Sequence, residues 1–220
     1  MRERFDLRAA LPRLPGLIVG LIAFGLGIAL MARAGIGLGP WEAFHQGIGN
    51  HTGLALGTVS ILLGVPILLL WWPLGERPGI GTLINVVLIG ASTNVGLDII
   101  PAQTHPVAQL VMMVAGVVVI GAGSGLYLAA DLGPGPRDGL MTGLHLRFGW
   151  SIRRARTAIE LSVLAAAFLL GGTIGLGTIT FALGIGPIVQ VMLRVFDKEG
   201  RVSRRRATRA LKEPPGTLGE

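Results

Sequence analysis

The sequence predicts an all-α polytopic membrane protein made of two tandem repeats. Three observations carry that prediction. Apolar residues make up 51% of the 220, the mean hydropathy is +0.66, and apolar runs of about 20 residues recur, each able to cross ~30 Å of hydrocarbon at ~1.5 Å per residue. The chain matches itself when slid by 96 residues: positions 17–98 against 113–194 give 20 identities without a gap. Eleven of these are Gly on Gly, where chance predicts about three. The basic residues flank the apolar runs and gather at the tail, the pattern of membrane topology.

Taken in order, residues 1–13 form a basic head. Leu14 to Ala32 is the first membrane helix, too long for a signal-peptide core and without a small-residue cleavage site. A short segment opening Gly39-Pro40 follows. Leu56 to Trp72 is the second long helix, with Trp71 and Trp72 expected among lipid headgroups. Ile80 to Ile100 and Val107 to Ala130 are the third and fourth, and a second short segment opens Gly135-Pro136. Thr157 to Leu170 and Thr178 to Leu193 complete the set, and residues 196–220 read as a basic, solvated tail. Repeat 1 thus covers 14–106 and repeat 2 covers 107–195. Each holds three transmembrane helices and one short helix started by Gly-Pro.

Charge sets the topology. With six spans and the N-terminus inside, 18 of the 19 basic residues are cytoplasmic, and only Arg33 lies outside. Three crossings per repeat would make the repeats inverted. If the short segments also cross, the chain has eight spans and parallel repeats, with Arg33, Arg77 and Arg137 outside. Charge fits that nearly as well. The short length of the two segments favours six.

Short, Gly/Pro-interrupted segments at matching places in two halves point to a transport site. Proline suits the first turn of a helix, so each Gly-Pro starts a short helix, which either offers free N–H groups to an anion or carboxylate or simply lies in the interface after a turn of the chain. On the first, Glu42, His45 and Gln46 share a face; on the second, Asp138 and Thr142 do, beside Arg137. Glu42 aligns with Asp138, and each acid is either a helix-dipole partner or a coupling carboxylate. His45 beside Glu42 is either a proton relay or a hydrated interfacial residue. Glu160 stands four residues after Arg156, and is either its ion-pair partner or part of a polar path. Asn94 and its counterpart Gln190 are suited to interhelical hydrogen bonds.

No catalytic motif is present, so the chain is not expected to be an enzyme. Its four histidines lack the spacing of a metal set, no cofactor is implied, and with no cysteine there is no thiolate or disulfide chemistry. A net charge of +7 raises nucleic acid as a partner, but the flanking position of the charges assigns them to topology and anionic lipid.

The run Gly37-Leu38-Gly39-Pro40-Trp41-Glu42-Ala43-Phe44-His45-Gln46-Gly47, with Gly79-Ile80-Gly81-Thr82 and Gly135-Pro136-Arg137-Asp138-Gly139-Leu140-Met141, resembles the bacterial YczE/YyaS/YitT-type integral membrane proteins. The resemblance covers roughly residues 14 to 195. It implies a multi-pass protein of the bacterial plasma membrane, described at times as a transporter, and assigns no substrate or binding residues.

The functional expectation is a small-solute permease with both termini cytoplasmic. Its path would be lined by Glu42, His45, Gln46, Arg137, Asp138 and Thr142, and its partners are the lipid bilayer and an unnamed solute, possible anions included. A chain this small makes a thin wall for a path, which a homodimer would thicken. The alternative is a non-transporting scaffold or regulator acting through lipid or partners. Removing residues 200–220 separates the two, since a permease keeps its flux and a tail-mediated regulator loses its phenotype.

Overall fold

The computed structural model describes residues 10–197 together with Gly200 and Val202. The basic head before Ala10 and most of the tail expected over 196–220 lie outside the described residues. Among these residues the structure is all helical: α1 (Leu14–Ala34), α2 (Pro40–Thr52), α3 (Leu56–Leu74), α4 (Ile80–Ile99), α5 (Pro106–Ala129), α6 (Pro136–Phe148), α7 (Ile152–Leu169) and α8 (Leu176–Phe196). A 3-10 turn over Leu11–Arg13 leads into α1. Helices α2, α3 and α4 start at residues 40, 56 and 80, and α6, α7 and α8 start at 136, 152 and 176, each 96 later.

Five helices are long and apolar enough to cross a membrane: α1 with its preceding turn, α3, α4, α5 and α8. The exception among the six expected is α7. It opens on Arg153, Arg154 and Arg156, with Glu160 one turn on, and too few apolar residues remain for a span-length window. Helices α2 and α6 have 13 residues each, about 20 Å, which is less than the hydrocarbon thickness. Each starts with Pro at its first position after an extended Gly and stops at a left-handed Gly, Gly53 and Gly149, a conformation that costs glycine nothing.

The centre of the molecule is the α1–α5 seam. A Cβ on Gly20 would sit 2.8 Å from the Gly123 carbonyl oxygen, and one on Gly27 would sit 2.9 Å from that of Gly116. Glycine is required there because the two backbones touch. Going from 20 to 27 on one helix meets 123 to 116 on the other, so α1 and α5 run antiparallel. Beside them, Gly25 packs on Ile89 and Thr93 while Gly96 packs on Leu26 and Ala29, so α1 and α4 run parallel. Gly121 on Ile188 and Gly125 on Met192 make α5 and α8 parallel in the same way.

The loops interlock. Gly177 N–H donates to the Ile36 carbonyl at 2.9 Å, and Gly81 N–H donates to the Leu132 carbonyl at 3.0 Å. These are the same bond shifted by 96 residues and exchanged between halves. The recurring unit of residues 79–82 and 175–178 is thereby explained. Its second glycine lets the other half's loop approach, and its threonine hydroxyl, Thr82 or Thr178, accepts from the N–H of Gly79 or Gly175.

Lipid-facing character is plain on the outside, where Leu69, Val111, Phe168, Leu169 and Leu183 are exposed. The two tryptophans of α3 divide. Trp72 is 89% exposed, but Trp71 is fully buried and donates its indole N–H to the Pro136 carbonyl at 3.0 Å. Headgroup placement is therefore wrong for Trp71, because Gly139 leaves room for its ring inside.

Candidate functional site

The starts of α2 and α6 meet in the interior. Trp41 and Arg137, 96 residues apart, touch: the guanidinium lies 5.1 Å from the Trp41 ring centroid. Arg137 Nη2 also lies 2.7 Å from Glu42 Oε1. The Glu42 side chain is 2% exposed and that of Arg137 25%, so one end of the pair is sealed and the other is accessible. This contact engages Oε1 alone, and Glu42 Oε2 is buried without a hydrogen-bond partner. Trp41 Nε1 and His45 Nε2, both buried, are likewise unpartnered. Three unmatched polar atoms on the first two turns of one helix exceed what a structural device needs, since buried polar groups are normally satisfied.

Asp138 is arranged differently from its counterpart. Tyr127 Oη stands 3.4 Å from Asp138 Oδ2. The residue is exposed, whereas Glu42 is sealed. Asn85 lies buried near the same start, its amide nitrogen 3.6 Å from the Cβ position of Gly135. Residue 181, the place matching Asn85, is Phe181, which packs on Gly39 beside Glu42. The first acid therefore meets an aromatic wall and the second meets polar groups.

The six expected residues do not form one set. Glu42 and Arg137 join directly, and Asp138 follows Arg137 on the same turn. His45 packs by Trp41 and Phe44, with ring centroids 6.3 and 6.2 Å away. Burial, then the Arg137 charge, holds its imidazole down to about 3, so the ring is neutral, and its Nε2 does not bond Glu42. Gln46 Oε1 accepts from Thr173 N–H at 2.7 Å, clamping the α7–α8 loop. It also lines a cavity of about 300 Å³ with Asn50 and Leu54 at the far end of α2. The Thr142 hydroxyl donates to its own helix at the Asp138 carbonyl, 2.8 Å away.

Trp41, Tyr127 and Asn85 were missed as site residues. Tyr127 is the only tyrosine and lies one turn before the loop to the second Gly-Pro, which is the signal that could have found it. Arg33, the lone outside cation of the six-span reading, caps α4 by donating from Nε and Nη2 to the Leu97 carbonyl. Arg156 and Glu160 pair at 2.9 Å as their spacing predicts. No group of three or more metal-type side chains occurs among the described residues.

A family model described as a family of unknown function, DUF6198, matches residues 11–194. The chain is 39% identical over 180 residues to the uncharacterized membrane protein YczE of Bacillus subtilis, covering 81% of this chain and 82% of that one. An uncharacterized protein of Haemophilus influenzae is 38% identical over 179 residues, with the same shares. The uncharacterized protein YyaS of Bacillus subtilis is 26% identical over 193 residues, 86% of this chain and 96% of that one. No solved structure matches the chain.

Proposed function

The chain belongs to the YczE/YyaS-type family of membrane proteins, DUF6198, and we propose that it is a small-solute permease of the bacterial plasma membrane. Its site lies between two inverted repeats, where α2 and α6 meet. The observation that carries the reading is the Trp41–Glu42–Arg137 cluster: an ion pair between the halves, with unmatched polar atoms around it at the start of a helix too short to span. Ionisable groups in such a place are costly and usually functional.

Helix directions support the inverted arrangement. Equivalent helices α1 and α5 are antiparallel, which a dyad lying in the membrane plane produces and a dyad along the membrane normal does not. Helices α1 and α4 are parallel, as three crossings per repeat demand and four do not. Six crossings then include α7, with its arginine turn at the cytoplasmic face, and both termini are cytoplasmic. A cysteine placed at exposed Thr104 tests this in a chain without native cysteine. Labelling from outside intact cells is expected; labelling only from inside overturns the arrangement.

The functional test is flux. Purified protein in proteoliposomes should move at least one small solute, and Glu42→Gln should lower that flux by about tenfold, the loss of roughly 1.4 kcal/mol of interaction. No flux and no binding across cations, anions and neutral solutes overturns the permease reading.

A further inference from the structure

We infer that Trp41 and Glu42 form a receptor for a small organic cation, and that the chain's own Arg137 guanidinium occupies it in this conformation. The inference rests on the permease reading and names its solute class: a guanidinium or ammonium compound that takes the place of Arg137.

A buried carboxylate beside an aromatic face is the chemistry that recognises organic cations, the carboxylate supplying charge and the ring its negative quadrupole. Both parts are buried here, and both are engaged by one guanidinium, at 2.7 Å from Glu42 Oε1 and 5.1 Å from the Trp41 centroid. The engagement is incomplete. An ionised carboxylate offers about four acceptor sites, yet the guanidinium reaches Oε1 through one nitrogen and Oε2 has no partner. A permanent structural pair would be expected to saturate itself with forked bonds, as buried arginine–carboxylate pairs do. This one leaves Oε2 free.

Arg137 is also built to leave. It belongs to the opposite half, and one quarter of its side chain is accessible while Glu42 is sealed. Withdrawing the guanidinium would expose an acid, an aromatic face, an indole N–H and a neutral imidazole, with no cation left among them. Free helix N–H groups alone favour an anion, but Glu42 already brings negative charge to the first turn of α2. The unmet demand is positive. An inorganic cation is a poorer fit, because a hard ion takes six or more oxygen ligands and Glu42 offers two.

Chemical rescue tests the receptor. Thermal unfolding of the purified full chain is followed by tryptophan fluorescence for wild type, Arg137→Ala and the double variant Glu42→Gln/Arg137→Ala. Arg137→Ala should lower Tm, and guanidinium chloride at tens of millimolar should restore at least half of the loss, while equal sodium chloride or urea does not. The double variant should show no such gain. Equal responses to guanidinium and sodium, or equal gain in the double variant, overturn the inference. Should Arg137→Ala not fold, the wild type still decides: radiolabelled guanidinium should enter proteoliposomes and be competed by methylammonium. Flux confined to anions or neutral solutes overturns the cation receptor and leaves the permease standing. Absence of all flux overturns the permease, and the rescue experiment then judges the receptor separately.

Discussion

The pair α3–α4 and the pair α7–α8, which start 96 residues apart, pack in different ways. In the first, a Cβ on Gly57 would run into the Gly90 carbonyl, and Gly64 faces Val86. Asn94 binds the two helices, accepting from Gly57 N–H and donating to the Thr58 hydroxyl, both at 2.9 Å. In the second, the places of Gly57, Thr58 and Gly64 hold Arg153, Arg154 and Glu160. Gly186, the counterpart of Gly90, has nothing within 4 Å of its Cβ position. Close helix contact in a membrane needs small residues, which the first pair has at these places and the second lacks. The acids follow suit, since Glu42 in the first half is sealed and Asp138 in the second is exposed. Under the permease reading, one repeat is closed and the other open, which is what one state of an alternating-access cycle requires.

Breaking the closed side most severely means removing Trp71. Its buried ring fills the space over Gly139, whereas the positions 96 residues away from these two hold Ala167 and Ala43, both buried. Trp71→Ala should cost about 3 kcal/mol from the cavity and the lost bond to Pro136. At ~2–4 °C per kcal/mol for a chain of this size, Tm should fall by roughly 10 °C. Adding Gly139→Ala copies the Ala–Ala pattern of the other half and should recover about 1 kcal/mol through helix propensity. An unchanged Tm in Trp71→Ala would mean the ring is not a wedge between α3 and α6.

A sharper contrast uses one substitution at two places. Gly57→Leu drives a side chain into the Gly90 backbone and should cost about 2 kcal/mol or more, a drop of roughly 6 °C. Gly186→Leu meets open space and should leave Tm within about 2 °C. Equal losses at both would show that α7 and α8 close on each other in the purified protein.

Much of this frame was legible in the sequence because its determinants are local and repeat. Glycines at equal spacing announced the backbone contacts, Gly-Pro announced the short helices, and the Arg156–Glu160 spacing announced its pair. The two short helices were legible in the sequence, and the pairing of their starts was not. Glu42 and Asp138 align in the sequence, but residue 41 touches residue 137 and Glu42 finds Arg137. No periodicity within one helix encodes which neighbour across two halves a side chain will meet. Gln46 was placed on the face of Glu42, yet a loop 127 residues away takes its carboxamide. The same limit applies to Trp71, where the exposed or buried choice depended on a glycine in another helix.

The smallest expected difference probes the polar link of the closed side. Asn94→Ala removes two interhelical bonds, and such bonds in membranes average about 0.6 kcal/mol each. A loss of about 1 kcal/mol should lower Tm by roughly 3 °C. Gln190, at the matching place, is exposed, and Gln190→Ala should change Tm by less than about 1 °C. Measured together, the two values separate packing from symmetry. If Gln190→Ala costs as much as Asn94→Ala, the amide is bonded across a closed α7–α8 pair, and the openness of the second half is a state that the protein leaves. If it costs nothing, the arginines of α7 have taken from Gln190 the partner that Asn94 kept.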